Sequence, residues 1–264
     1  MKLWKYLPIV LFFSCINLII QEEIYNSLYF SGGSWIEFAK IDSMKSESND
    51  FTIQLWVSGG DVDTNEAPAM FSIIDSNDNI TLAIFRDVNQ NNSITTISNS
   101  AVGKQEYNGL DWSDPDDFYL FSFNFSDTKG LNIYINDYKI LNSGSLLDVQ
   151  GSTLNVGAIV NEDRTILENF WYGYIDEIRL WNTILTDSTI KFQSEHPNKL
   201  GDNYRYTDGN GNAISTYLDS LIGIWRLNFE EPLTIIEDDS EHDNDGNIYS
   251  LSGFSVELSE KGAK

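Results

Sequence analysis

The chain has 264 residues, 41% of them apolar and 13% aromatic, and a formal charge of −24. That content supports a packed core over one large β-domain or two ordinary ones, and excludes intrinsic disorder for most of the chain. Sixteen Lys and Arg against forty Asp and Glu, with no basic stripe, exclude a nucleic-acid partner and a docking role on an anionic membrane.

Residues 1–21 read as an export segment, either a signal peptide or a lipoprotein signal. Lys2 and Lys5 precede the apolar run Leu7–Ile20, and Glu22 and Glu23 follow it. A spanning helix needs about 20 apolar residues, so no spanning segment is expected in the mature form. Cys15, inside this run, is the only cysteine, so the exported body has no disulfide and no cysteine nucleophile. Phe12-Phe13-Ser14-Cys15 resembles a bacterial lipobox in its small Ser14, although Phe13 is bulky and the apolar run continues to Ile20. Two readings stand: Cys15 carries a lipid anchor, or it leaves with the signal. The expected location is accordingly secreted, periplasmic or cell-surface.

Beyond Glu23 alternation of period two recurs. Leu28 and Phe30 precede the turn Ser31–Ser34, and Ile36 and Phe38 follow it. Phe51, Ile53, Leu55 and Val57 line one strand face, Ile80, Leu82 and Ile84 another, and Tyr119, Phe121, Phe123 and Phe125 a third. Leu131, Ile133 and Ile135 lead into Asn136-Asp137, a pair suited to a tight hairpin. Leu154, Val156, Ala158 and Val160 form one more face. Many short strands joined by polar turns predict an all-β antiparallel two-sheet jelly-roll sandwich over residues 24–260. One short helix is expected, capped by Thr186 and ended by His196-Pro197. After the polar loop Leu200–Ala213, apolar sequence returns at Leu218–Phe229 and is read as the closing strand.

Several aromatics fall outside this periodicity. Trp112 sits in the polar stretch Leu110–Pro115, while Trp171, Tyr172, Tyr204 and Tyr206 lie in loops or at strand edges. Exposed rings beside carboxylates and amides suit sugar binding, because the ring stacks on the C–H face while Asp and Asn fix hydroxyls. These five are the candidate ligand-binding residues. Asp176 alternates with Ile178 and Leu180, which places it on a buried face, where a carboxylate needs backbone donors or a cation. Both a structural acid and a metal ligand fit that position. The run Asp238–Gly246 is dense in carboxylates, and Asp239, Asp243 and Asp245 there, with Asp176, are candidate ligands for calcium, which takes six to eight hard oxygens.

Five segments together resemble the LamG-like jelly-roll domains of the concanavalin A-like lectin/glucanase superfamily. Ser27–Gly32 is similar to that family's opening strand and turn, Phe51–Val57 to its second strand, and Leu131–Asn136 to its hairpin strand. Gly173–Leu185 (GYIDEIRLWNTIL) resembles its most recognisable signature, and Gly223–Phe229 with Asp239, Ser240 and Gly246 its closing strand and Asp-Ser…Gly turn. The resemblance makes Asp239 the first-choice calcium ligand. Ser31 stands where the family usually has Asp, Asp137 where it has Gly, and Phe118-Tyr119 where it has Trp and His.

The resemblance specifies fold more than function, since this fold hosts lectins, adhesion modules, glycanases and spacers. Glycanases of the superfamily place carboxylates at alternate positions of one strand. Here Asp176 and Glu177 are adjacent, which in a regular strand sends them to opposite faces, and no nucleophile elbow or His-Glu-x-x-His motif is present. The expected function is a non-catalytic binding module for a carbohydrate or extracellular protein ligand, with calcium as its cofactor. A structural or adhesive surface domain is the alternative, and a glycan-degrading enzyme the minor one.

Overall fold

A computed structural model of the protein describes residues 26–40, 50–60, 67–90, 92–98, 101–126, 128–144, 152–197, 206–207, 213–214, 217–227, 234–240 and 242–263. The export segment, with Cys15, lies outside the described residues. In chain order the strands are β1 (Ser27–Ser31), β2 (Ser34–Lys40), β3 (Phe51–Gly59), β4 (Ala69–Ile74), β5 (Ile80–Arg86), β6 (Ser93–Ser98) and β7 (Ala101–Glu106). There follow β8 (Tyr119–Ser126), β9 (Gly130–Ile135), β10 (Tyr138–Ser143), β11 (Thr153–Val156), β12 (Ile159–Val160), β13 (Leu167–Glu168) and β14 (Tyr172–Trp181). The helix α1 (Asp187–Glu195) comes next, then β15 (Tyr206–Thr207), β16 (Ala213–Ile214), β17 (Leu221–Trp225), β18 (Ile235–Ile236), β19 (Gly246–Ser250) and β20 (Val256–Ser259).

Two antiparallel sheets form the sandwich. The first runs β10-β9-β8-β3-β14-β1-β20, and the second β18-β19-β2-β11-β4-β5-β6-β7. Strand β14 is long enough for two partners on one side: β1 pairs with its first half and β17 with its second. Leu221 does begin a strand of the sandwich, but it is not the last. β19 and β20 follow and extend the second and first sheets respectively, so both layers take strands from both ends of the described chain.

The core lies between the sheets and is filled by the alternating residues. Leu28, Phe30, Ile53, Leu55, Phe121, Phe123 and Ile133 are wholly buried there, and Phe71 meets Phe123 edge-on at 4.6 Å between ring centroids. Each such side chain contributes roughly 1.5–3 kcal/mol of hydrophobic stabilisation. The run Leu154–Val160 departs from expectation. Gly157, at φ +91°, breaks it, so Ala158 and Val160 join a separate cluster around Trp35 instead of the main core. The hairpin at Asn136-Asp137 forms as its sequence predicts, with Asn136 in the left-handed region at φ +53°.

Helix α1 covers part of the outer face of the first sheet. The Thr186 hydroxyl accepts the Thr189 amide at its N-terminus, and Ile190 and Leu185 pack on Tyr134, Trp181 and Ile224. At its start the Tyr134 hydroxyl donates to Asp187, and beyond its end the Pro197 carbonyl accepts from Arg179. The helix thus crosses from β9 to β14. Nine residues at about 1.5 Å each match the roughly 14 Å across three strand spacings.

Candidate functional site

The site is organised by an irregularity in β14. Opposite β3, Asp176 pairs with Trp56 and Ile178 with Leu55, so one residue is inserted at Glu177. Before this bulge Ile175 faces the core, and after it Ile178 and Leu180 do. Asp176 and Glu177 both turn to the outer face, as an inserted residue reverses the strand's parity. This corrects two expectations: Asp176 does not share the face of Ile178 and Leu180, and the adjacent acids do not point to opposite sides.

On that outer face each acid has structural partners. Asp176 accepts the Glu177 amide at 2.6 Å and the Ala263 amide at 2.9 Å, and burial pushes its pKa up to about 6 against the pull of these donors. Glu177 binds Arg179, which is wholly buried, and lies 3.5 Å from Arg226, which in turn lies 3.7 Å from Asp239. Burial disfavours the charged Arg179 and lowers its pKa, with Glu177 opposing that shift. The result is an alternating chain of charges, Arg179–Glu177–Arg226–Asp239, beside α1.

Next to Asp176 the same face carries a cleft of about 500 Å³. Trp56 and Phe118 supply its rings, Asp116, Asp117 and Glu260 its carboxylates, and Asn136, Ser194 and Lys261 further polar groups. Three elements hold these in place. The loop before β8 is stiffened by Asx turns, with Asp111 accepting the Ser113 amide and Asp114 the Asp116 amide. Asn136 exchanges backbone and side-chain bonds with Leu120. The segment after β20 forms the remaining wall, where Lys261 meets Asp116 at 2.5 Å and lies 5.3 Å over the Tyr174 ring.

Two of the expected binding rings lie inside the core. Trp112 is 1% exposed and Trp171 0%; they meet edge-to-face at 5.7 Å inside the core, and Trp112 stacks on Phe121. The Trp112 indole donates to the Ser93 carbonyl, which is why this loop tryptophan can close the end of the sandwich. Both are packed among the main core residues between the sheets, so they are core residues and not ligand platforms. Tyr172 is half-buried and lies flat against Gly32, where a Cβ would stand only 1.9 Å from its ring. Tyr204 lies outside the described residues. Tyr206 is described by its backbone alone, paired with Ile214.

The acid turn is also committed to the fold. Asp238 accepts the amides of Ile224, Ser240 and Asn244 and the Ser240 hydroxyl, and Asp245 accepts the Asp238 amide. Asp239 faces Arg226, and burial raises its pKa. Asp243 is exposed with φ +54°. Asp176 is bonded to Ala263, away from this turn. Among the described residues no group of three or more His, Cys, Asp or Glu side chains is arranged to hold a metal ion. The four expected calcium ligands do not make an assembled donor set. Asp238, which the sequence did not single out, anchors the turn.

The fold has known relatives. The family model described as the concanavalin A-like lectin/glucanases superfamily matches residues 30–191. The chain belongs to that superfamily. Among solved structures, this lectin/glucanase-fold chain is similar to a Bacteroides ovatus protein named for an inferred carbohydrate-binding role. The TM-score is 0.56 at 12% identity, over 89% of this chain and 60% of the other. The chain thus spans less than two thirds of that protein's length. It is also similar to the heptameric SAP-like pentraxin of Limulus polyphemus, with TM-score 0.52 and 14% identity over 91% of this chain and 98% of the pentraxin. No curated protein matches this lectin/glucanase-fold chain. Among its described residues no helix is long and apolar enough to cross a membrane.

Proposed function

We propose that this lectin/glucanase-fold domain is a non-catalytic carbohydrate-binding module that acts outside the cytoplasm after export by residues 1–21. The observation that carries the reading is the outer-face cleft, which combines rings, carboxylates and an amide in about 500 Å³, a size suited to a few sugar rings. In this reading its carboxylates, Asp116, Asp117 and Glu260, accept sugar hydroxyls. A glycosidase needs two carboxyl groups flanking the scissile bond with an open path between them. Asp176 and Glu177 are instead held by backbone amides and arginines, and neither lines the cleft. The likeness to a protein named for carbohydrate binding agrees with this reading. The test is calorimetry of the exported domain against soluble oligosaccharides, with Phe118→Ala and Asp117→Ala as cleft variants. Micromolar-to-millimolar binding that both variants weaken supports the reading, and binding indifferent to both removes the cleft from it. Export is tested separately: fatty-acid labelling that is lost in Cys15→Ala marks a lipid anchor, and an unlabelled secreted body marks signal cleavage.

A further inference from the structure

Trp56 forms the floor of the cleft yet is only 4% exposed, and its buried indole N–H has no hydrogen-bond partner among the described residues. A buried unpaired donor is costly, and native interiors keep few of them. Ala263, itself 3% exposed, packs on the indole with Leu120 and Phe118, and Glu260, Lys261 and Gly262 lead up to it along the cleft wall.

Among the described residues this short segment is attached by the Lys261–Asp116 pair, the Lys261 contact over Tyr174 at 5.3 Å and two backbone amide bonds. Lys261 pairs with Asp116, but the two are 38% and 74% exposed, and such surface pairs hold weakly. The Lys261 amide donates to the Ser259 hydroxyl, a local bond that does not cross to the sheet. The Ala263 amide donates to Asp176, whose charged form burial disfavours, so lifting the segment would also return that carboxylate to water.

We propose that Trp56 is the ring on which the ligand's sugar stacks, and that residues 260–263 are a strap that lifts from the indole to admit it. The proposal rests on the carbohydrate-binding reading and extends it by naming the stacking residue and the barrier in front of it. Lifting adds the indole to the cleft's exposed aromatic surface beside Phe118 and gives its N–H a ligand oxygen as acceptor. A sugar ring needs this combination of flat apolar face and nearby hydroxyl partners, with Asp117 and Asn136 at the rim. The closed strap then lowers apparent affinity by the fraction of molecules that are open.

The experiment compares the unmodified domain with the variant Lys261→Ala/Ala263→Asp, which loosens the strap by removing its ion pair and setting a charge against Asp176, and leaves the sheet untouched. Each is made with and without Trp56→Phe. Acrylamide quenching reads indole exposure, and calorimetry reads affinity for cellohexaose and chitohexaose. The expected result is a quenchable indole in the loosened variant that disappears with Trp56→Phe. Affinity for the bound hexasaccharide should rise about tenfold, as for a site open in roughly a tenth of molecules, and Trp56→Phe should lower it. A Trp56 still shielded in the loosened variant overturns the strap. An exposed Trp56 with unchanged affinity for a sugar that the unmodified domain binds overturns the stacking role. If neither form binds any oligosaccharide while Trp56 becomes quenchable, the carbohydrate reading itself fails and takes the stacking role with it.

Discussion

Asp176 Oδ2 accepts the Ala263 amide at 2.9 Å across 87 residues of sequence. This bond joins the bulge of β14 to the segment after β20, and so ties the wall of the cleft to the strand that pairs with Trp56. It exists because the inserted residue at Glu177 turns Asp176 outward, where the returning chain can reach it.

The first prediction concerns pH. The Asp176 pKa lies near 6 in the fold against 3.8 in the unfolded chain, so burial disfavours its ionised form. Well below pH 4 the carboxyl is protonated in both states and carries no penalty. As pH rises towards 6 the unfolded chain ionises first, and a destabilisation of at most about 3 kcal/mol develops that is complete above 6. Glu177 adds to the upward shift, and Arg179 and the Glu177 and Ala263 amides oppose it. The melting midpoint of Asp176→Asn relative to the unmodified domain should therefore rise between pH 4 and pH 7. A flat difference across that range would show that the carboxyl titrates normally.

The second concerns Trp112. Trp112→Ala empties a fully packed site between Phe121 and Trp171 and should cost about 3–5 kcal/mol. Trp112→Phe keeps much of the volume and should leave oligosaccharide affinity unchanged in calorimetry. Loss of binding by a folded Trp112→Phe domain would return this residue to the ligand site.

The third separates structure from metal binding in the acid turn. Asp238→Ala strands three backbone amides and should cost about 3 kcal/mol in urea unfolding, while Asp243→Ala, at an exposed position, should cost under about 0.5 kcal/mol. Thermal midpoints in millimolar calcium and in EDTA should agree within about 1 °C, since ligand binding raises stability only where a site exists. A rise of several degrees in calcium, abolished by Asp239→Ala, would establish the calcium site that the turn's composition suggested.

The fourth is a negative result with a control. Incubation with plant, algal and microbial polysaccharides should release no reducing ends, because the Asp176-Glu177 pair is bound into the fold. Release that disappears in Glu177→Gln would assign this domain to the glycanases.

Period-two alternation was enough to place β1, β2, β3, β5, β8 and β9 with their core faces, and the capping signal at Thr186 to place the helix, because these depend on neighbours within a few residues. The same local logic failed where distant chain sets the geometry. Asp176 and Glu177 look like an ordinary strand pair until β3 is laid beside them and leaves one residue over. Trp112 has the polar neighbours of a surface loop, and only the Ser93 carbonyl and the rings of Phe121 and Trp171 draw it inside. Asp238 gains its role from Ile224, on a strand the turn folds back against. The cleft is the extreme case. Trp56, Asn136, Ser194 and Lys261 come from four separate parts of the chain, and their meeting depends on strand order and register, which no local pattern encodes.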